Sequence, residues 1–254
     1  MYTIAVINQK GGVGKSTSAH AIGSGLHLRG KRVLFADLDA QRNLSGTLRA
    51  AEDTGATLFD VLTGRAEVSA ALTETGCGSL LPGDAALSGA DMTLTSVGKE
   101  YRLREALAPL AGSYDYTVID TPPALGILTV NALAAADGCI IPAGADIYSL
   151  QGIAALRGTI DAVKRYCNPN LEVMGILLTR YNSRTVITRD AEDLTAQSAA
   201  QFGTRLYRVK IRECTAVKEA QAVRRSIFDY APKSNAAADY NALLDEIMEG
   251  EHTQ

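Results

Sequence analysis

The stretch Gln9-Lys10-Gly11-Gly12-Val13-Gly14-Lys15-Ser16-Thr17 follows the apolar run Ile4-Ala5-Val6-Ile7. It reads as a phosphate-binding loop between a strand and a helix. Gly11, Gly12 and Gly14 let the backbone turn tightly and aim its N–H groups at phosphate oxygens. Val13 and Thr17 complete the loop, and the helix behind it adds the positive end of its dipole. Lys15 supplies a point charge to the β- and γ-phosphates, and Ser16 a hydroxyl for Mg²⁺. The general pattern G-x-x-x-x-G-K-[ST] asks for glycine at position 9. This chain has Gln9 there, and then a second lysine, Lys10.

Two later motifs supply carboxylates. Val33-Leu34-Phe35-Ala36-Asp37-Leu38-Asp39 is an apolar strand that ends in two acids, followed by Ala40-Gln41-Arg42-Asn43. Strand alternation predicts Asp37 and Asp39 on one face, looking onto the ligand crevice at the carboxyl edge of a parallel sheet. Tyr116-Thr117-Val118-Ile119-Asp120 is again apolar and ends in an acid, and Pro122 and Pro123 then stop the ladder. An aspartate at that place holds a Mg²⁺ shell through water.

In this order the motifs resemble the deviant-Walker ATPases of the ParA/MinD superfamily, and within it the small, Soj-like ParA partition ATPases. Leu128-Thr129-Val130-Asn131-Ala132-Leu133, Tyr181-Asn182-Ser183-Arg184-Thr185 and Tyr230-Ala231-Pro232-Lys233-Ser234 extend the resemblance over about residues 2–248. It implies ATP and Mg²⁺ as cofactors, with Ser16, Asp37 and Asp120 around the metal. It assigns catalysis to Lys10, Lys15 and Asp39. Asp39 would orient the attacking water, and Lys10 would reach across a dimer interface to the partner's phosphates. ATP is favoured over GTP because no Asn/Thr-Lys-x-Asp guanine-reading motif occurs; Thr179-Arg180-Tyr181-Asn182 lies near its place.

The resemblance also implies partners: a homodimer with ATP, nonspecific DNA and a ParB-like activating protein. Such a protein segregates or positions a plasmid, chromosome region or mobile element, and is cytoplasmic and nucleoid-associated. Residues 205–225 carry seven basic side chains against two acidic ones, in a chain of net charge −3. Lys210, Arg212, Lys218, Arg224 and Arg225 are the DNA candidates there, and Arg184 matches a family DNA-contact arginine. A second family arginine falls at Ala216, so the basic residues are displaced. The alternative is a MinD-like membrane or protein-cargo positioning ATPase. Against it, residues 239–254 hold Asp239, Asp245, Glu246, Glu249 and Glu251 with no lysine or arginine, a tail that anionic lipid repels. Leu243, Leu244, Ile247 and Met248 at helical spacing are expected to face the core.

Composition bounds the rest. With 254 residues, 46% of them hydrophobic, the chain can bury a sizeable core. Four cysteines without a C-x-x-C pair argue against a zinc site or disulfide framework, and no apolar run approaches a membrane span. His20 and His27, seven apart, read as helix packing. Strands are expected near 3–8, 33–37, 79–82, 116–120, 138–143, 172–179 and 205–209. Helices are expected near 15–29, 43–50, 57–63, 98–111, 126–135, 149–166, 187–202, 214–222 and 236–249. The fold class is therefore α/β, a mostly parallel twisted sheet with helices on both faces. Residues 1–254 are expected to form a single P-loop domain without an N-terminal helix-turn-helix, and 250–254 to fray.

Overall fold

The short apolar runs assemble into a seven-stranded sheet in a computed structural model that describes residues 1–48, 55–182 and 186–251. Its strands are β1 (Tyr2–Val6), β2 (Val33–Asp37), β3 (Thr73–Thr75), β4 (Gly78–Leu81), β5 (Tyr116–Asp120), β6 (Gly138–Gly144) and β7 (Glu172–Thr179). Their spatial order is β3-β4-β2-β5-β1-β6-β7, with every pairing parallel except β3 on β4. Register aligns Val6 with Asp120, and Asp120 with Asp37. The glycine-rich loop and both carboxylates thus leave the same edge of the sheet, where doubly wound folds place ligands.

Alternation along the strands feeds two cores. Ala5, Leu34, Ala36, Ile119 and Ile141 face one side, against the helices Ile127–Ala135 and Ile147–Tyr166. Ile4, Val6, Phe35, Val118 and Ile140 face the other, against helix α1 (Lys15–Leu28) and the C-terminal helix Asn235–Glu251. Leu243, Leu244 and Ile247 of the C-terminal helix are buried there, as their spacing predicts, with Met248 partly buried against the same core and Tyr240 buried beside them. Gly23 lets α1 lie against the sheet, because a Cβ at that position would run into the Phe35 ring.

Two expectations are corrected. Residues 205–209 do not form a strand. Leu206 makes an isolated bridge to Ile176, and Arg212 one to Tyr181. Between them the amides of Arg208 and Val209 turn away to the Glu246 carboxylate, at 3.2 and 2.9 Å. That acid, on the C-terminal helix, replaces the ladder with side-chain acceptors. The continuous helix expected over 98–111 is split into Lys99–Tyr101, Arg102–Leu107 and Ala108–Leu110, the outer two being 3₁₀ turns and the last containing Pro109. β3 is too short at three residues to leave a periodic signal.

His20 is buried on α1 beside Phe35, their ring centroids 6.5 Å apart, and burial pushes its pKa down to about 4. The unfolded chain takes up a proton near pH 6.5, whereas the folded chain resists until about pH 4, so the unfolded state binds more protons in between. His20 therefore makes stability fall as pH drops through that window, by about 3 kcal/mol in total. A His20→Gln variant should lose correspondingly less stability than wild type between pH 7 and pH 4.5, measured by urea unfolding. Carboxylates common to both proteins cancel in the comparison.

Candidate active site

Asn8 prepares the entry to the loop. Its Nδ2 donates to the Pro142 carbonyl at 2.6 Å, and its Oδ1 accepts the Lys10 N–H at 2.9 Å. Gly12 (φ 74°) and Gly14 (φ 82°) then take left-handed conformations. Thr179, at the end of β7, donates its hydroxyl to the Val13 carbonyl at 2.8 Å and pins the loop from the side. Lys15 opens α1 and is itself buried, with its ammonium donating to the Lys10 carbonyl at 3.1 Å. Burial pulls the Lys15 pKa down, and Asp120 and Asp39 act against that shift.

The carboxylates divide their labour. Asp37 is fully buried, and its Oδ2 accepts the Ser45 amide and hydroxyl at 2.8 and 2.6 Å. Its Oδ1 accepts the Asp39 N–H at 3.1 Å. Burial pushes Asp37 up to about 6 despite these bonds. Asp37 thus fastens the loop between β2 and the short helix α2 (Asn43–Thr47), and only Asp39 of the expected pair lines the cavity. The chain turns directly after Asp37, with the Leu38 N–H donating to the Asp120 carbonyl at 2.9 Å, so strand alternation ends there.

Asp120 is different. It is fully buried, and among the described residues neither carboxylate oxygen has a hydrogen-bond partner of good geometry, although the Ser16 hydroxyl is alongside. Burial, reinforced by Asp37, raises its pKa well above the carboxylate range. Two orphaned anionic acceptors beside a serine hydroxyl fit a hydrated divalent cation at the mouth of a phosphate loop.

A cavity of about 620 Å³ opens over the loop, lined by Gly11, Gly12, Gly14 to Thr17, Asp39, Arg42, Gln221 and Arg224. A second recess of about 290 Å³ shares Gly12, Gly14, Thr17 and Gln221 with it and adds the apolar Ile211 and Val217. Lys10 does not line the main cavity. Its ammonium donates to both Asp146 oxygens, at 2.7 and 2.9 Å, in a separate recess with Arg180 and Glu213.

The basic stretch is largely tied up within the chain. Lys210 pairs with Glu192 and lies over the Tyr181 ring. Arg212 forks onto Asp239, the shortest approach being 2.6 Å. Arg208 faces Glu246 and Glu249. Lys218 and Arg225 are exposed on and just after the helix Thr215–Ala222, and Arg224 reaches the rim of the nucleotide cavity. Arg184 lies outside the described residues. Sequence reasoning missed Ser45, Asp146 and Gln221, whose Nε2 donates to the Thr17 hydroxyl at 2.8 Å. Each meets the site only through the fold, so no local pattern marks them.

A glycine-rich loop opening a helix, with acids at the ends of neighbouring parallel strands, defines a P-loop nucleotide-binding protein. Residues 1–173 match a family model described as an AAA domain. The chain is 38% identical over 250 residues to the chromosome partitioning protein ParA of Myxococcus xanthus, covering 96% of this chain and 87% of that one. It is 38% identical over 245 residues to the chromosome-partitioning ATPase Soj of Thermus thermophilus, covering 96% and 94%. The crystal structure of cobyrinic acid a,c-diamide synthase from Mycobacterium smegmatis with bound ADP and magnesium superposes with a TM-score of 0.85 at 35% identity, covering 98% and 94%. The chain belongs to the ParA/Soj-like P-loop ATPases of the deviant-Walker ParA/MinD superfamily.

Asp120→Asn removes a buried acid whose ionisation burial opposes, and keeps the shape. It should raise the melting temperature of the nucleotide-free protein and weaken Mg²⁺-dependent nucleotide binding by about 10- to 100-fold. Thermal melts and calorimetric titrations with and without Mg²⁺ check both effects.

Proposed function

We propose that the chain is an ATP-dependent dimerising switch that binds DNA nonspecifically and hydrolyses ATP to position a DNA cargo with a ParB-like partner. One observation carries the reading. Lys10 stands outside its own phosphate cavity, held at the loop's outer side by Asp146. To reach a second copy docked across the loop it would exchange Asp146 for that copy's phosphates, and nucleotide occupancy would become coupled to association.

The phosphates of ATP would rest on residues 11–16 with Lys15 at their β/γ end, and the base would enter the recess beside Ile211 and Val217. Mg²⁺ would be held by Ser16 directly and by Asp120 through water, with Asp37 supporting the loop beside it. The ion supplies charge neutralisation on the β- and γ-oxygens. Asp39 faces the same cavity and would orient the attacking water. Transfer needs positioning and charge more than covalent chemistry.

The relatives' names favour DNA partition. The membrane alternative loses support because the apolar positions of the C-terminal helix are spent in the core. Among the described residues no helix is long and apolar enough to cross a membrane. An amide-forming ligase is the second reading, favoured by the name of the diamide synthase neighbour. Turnover with ATP and water alone separates the two.

DNA binding is assigned to Lys218, Arg225 and Arg184, with Arg224 exposed beside them at the cavity rim and Lys210 and Arg212 able to contribute only by leaving their acidic partners. A nonspecific duplex should bind with ATP, and not with ADP or without nucleotide, and affinity should fall steeply with salt. Lys218→Glu with Arg225→Glu should lower the salt slope by about one for each phosphate no longer neutralised. Fluorescence anisotropy at several salt concentrations measures this, and ATP-independent or salt-insensitive binding would refute the DNA assignment.

A further inference from the structure

Among the described residues, three non-glycine residues have positive φ: Arg42 at 56°, Arg180 at 51° and Arg224 at 53°. All are arginines, and all line the cavities around the phosphate loop. A left-handed conformation is unfavourable for a side chain with a Cβ, and such strain persists where the surroundings hold it. Arg42 and Arg224 line the main cavity from different elements.

Arg42 lies beside Asp39, the residue assigned above to the attacking water, and so on the side of the cavity where the terminal phosphate would stand. Its N–H donates to the Asp39 carbonyl at 2.9 Å, and Asp39 acts on Lys15, the lysine of the β/γ end. Arg224 belongs to the other end, with Gln221, which binds Thr17. The Arg42 Nε is buried and has no hydrogen-bond acceptor among the described residues. A buried guanidinium donor without an acceptor, on the wall of a phosphate cavity, is a costly arrangement that an anion would resolve. Guanidinium presents a planar fork suited to phosphate oxygens.

We propose that Arg42 is a catalytic arginine that contacts the terminal phosphate of ATP bound to its own chain. During hydrolysis the water oxygen bonds to the γ-phosphorus and the bridging P–O bond breaks. The electron pair stays on the β-phosphate oxygen of ADP, and the water proton leaves to the product phosphate. Arg42 stabilises the negative charge that shifts across these oxygens. The left-handed backbone is kept at the point where the Arg42 side chain lines the cavity.

The assignment rests on the ATPase reading above, and Arg42→Gly tests it because glycine accepts the same backbone. That variant should melt at or above the wild-type temperature and bind ADP with an affinity within about threefold of wild type, since ADP lacks the contacted phosphate. Its kcat should fall by about 10- to 1000-fold, and Arg42→Lys should recover part of the loss by restoring charge without the fork. Wild-type turnover together with an undiminished Arg42→Gly variant overturns the Arg42 assignment alone. Wild-type protein that fails to bind or hydrolyse ATP overturns both it and the proposed function.

Discussion

The juxtaposition of Asp37 and Asp120 governs this molecule. Parallel pairing of β2 with β5 sets the two side by side at the carboxyl edge, and both are fully buried. Two carboxylates so placed repel one another and resist ionisation, and the protein answers the two differently. Asp37 receives hydrogen bonds from Ser45 and from the Asp39 amide, and so ties down the loop that carries Asp39 and Arg42. Asp120 receives no good hydrogen bond and has Lys15 as its cationic neighbour. The site is thus incomplete in a specific way, short of positive charge at the place where a P-loop holds a metal and polyphosphate.

Strain and charge are concentrated around the same point. Three arginines in left-handed conformations, the positive-φ glycines of the loop and the parked Lys10 all lie in the recesses around the phosphate loop. Elsewhere the protein neutralises itself. Basic residues after β7 meet acids from the Val186–Gln201 helix and the C-terminal helix. The excess of cations visible in the linear sequence is consequently much smaller at the folded surface, and the exposed remainder centres on the segment from Lys218 to Arg225.

Features set by near neighbours in the chain were legible. The loop, α1 and the strands ending in Asp37 and Asp120 carry their own periodicity and punctuation, so their positions followed from the residues alone. What depended on distant residues was not. Glu246 captures the amides that would have made 205–209 a strand, and nothing near those residues announces it. Ser45 and Asp146 reach the site from later turns of the chain, and the cavity face of Arg42 depends on a backbone conformation that arginine rarely adopts. Pro109 was visible in the sequence, and its breaking of the helix near residue 108 follows from its fixed φ and missing N–H.

The central claim is that ATP gates association through Lys10. Sedimentation of wild-type and Lys10→Ala protein with Mg²⁺ and a non-hydrolysable ATP analogue tests it most directly, with analogue binding followed in parallel. The account predicts a wild-type dimer that forms only with the triphosphate, and a Lys10→Ala chain that binds the analogue yet stays monomeric. A wild-type chain that remains monomeric when saturated, or a Lys10→Ala chain that dimerises as well as wild type, would contradict it.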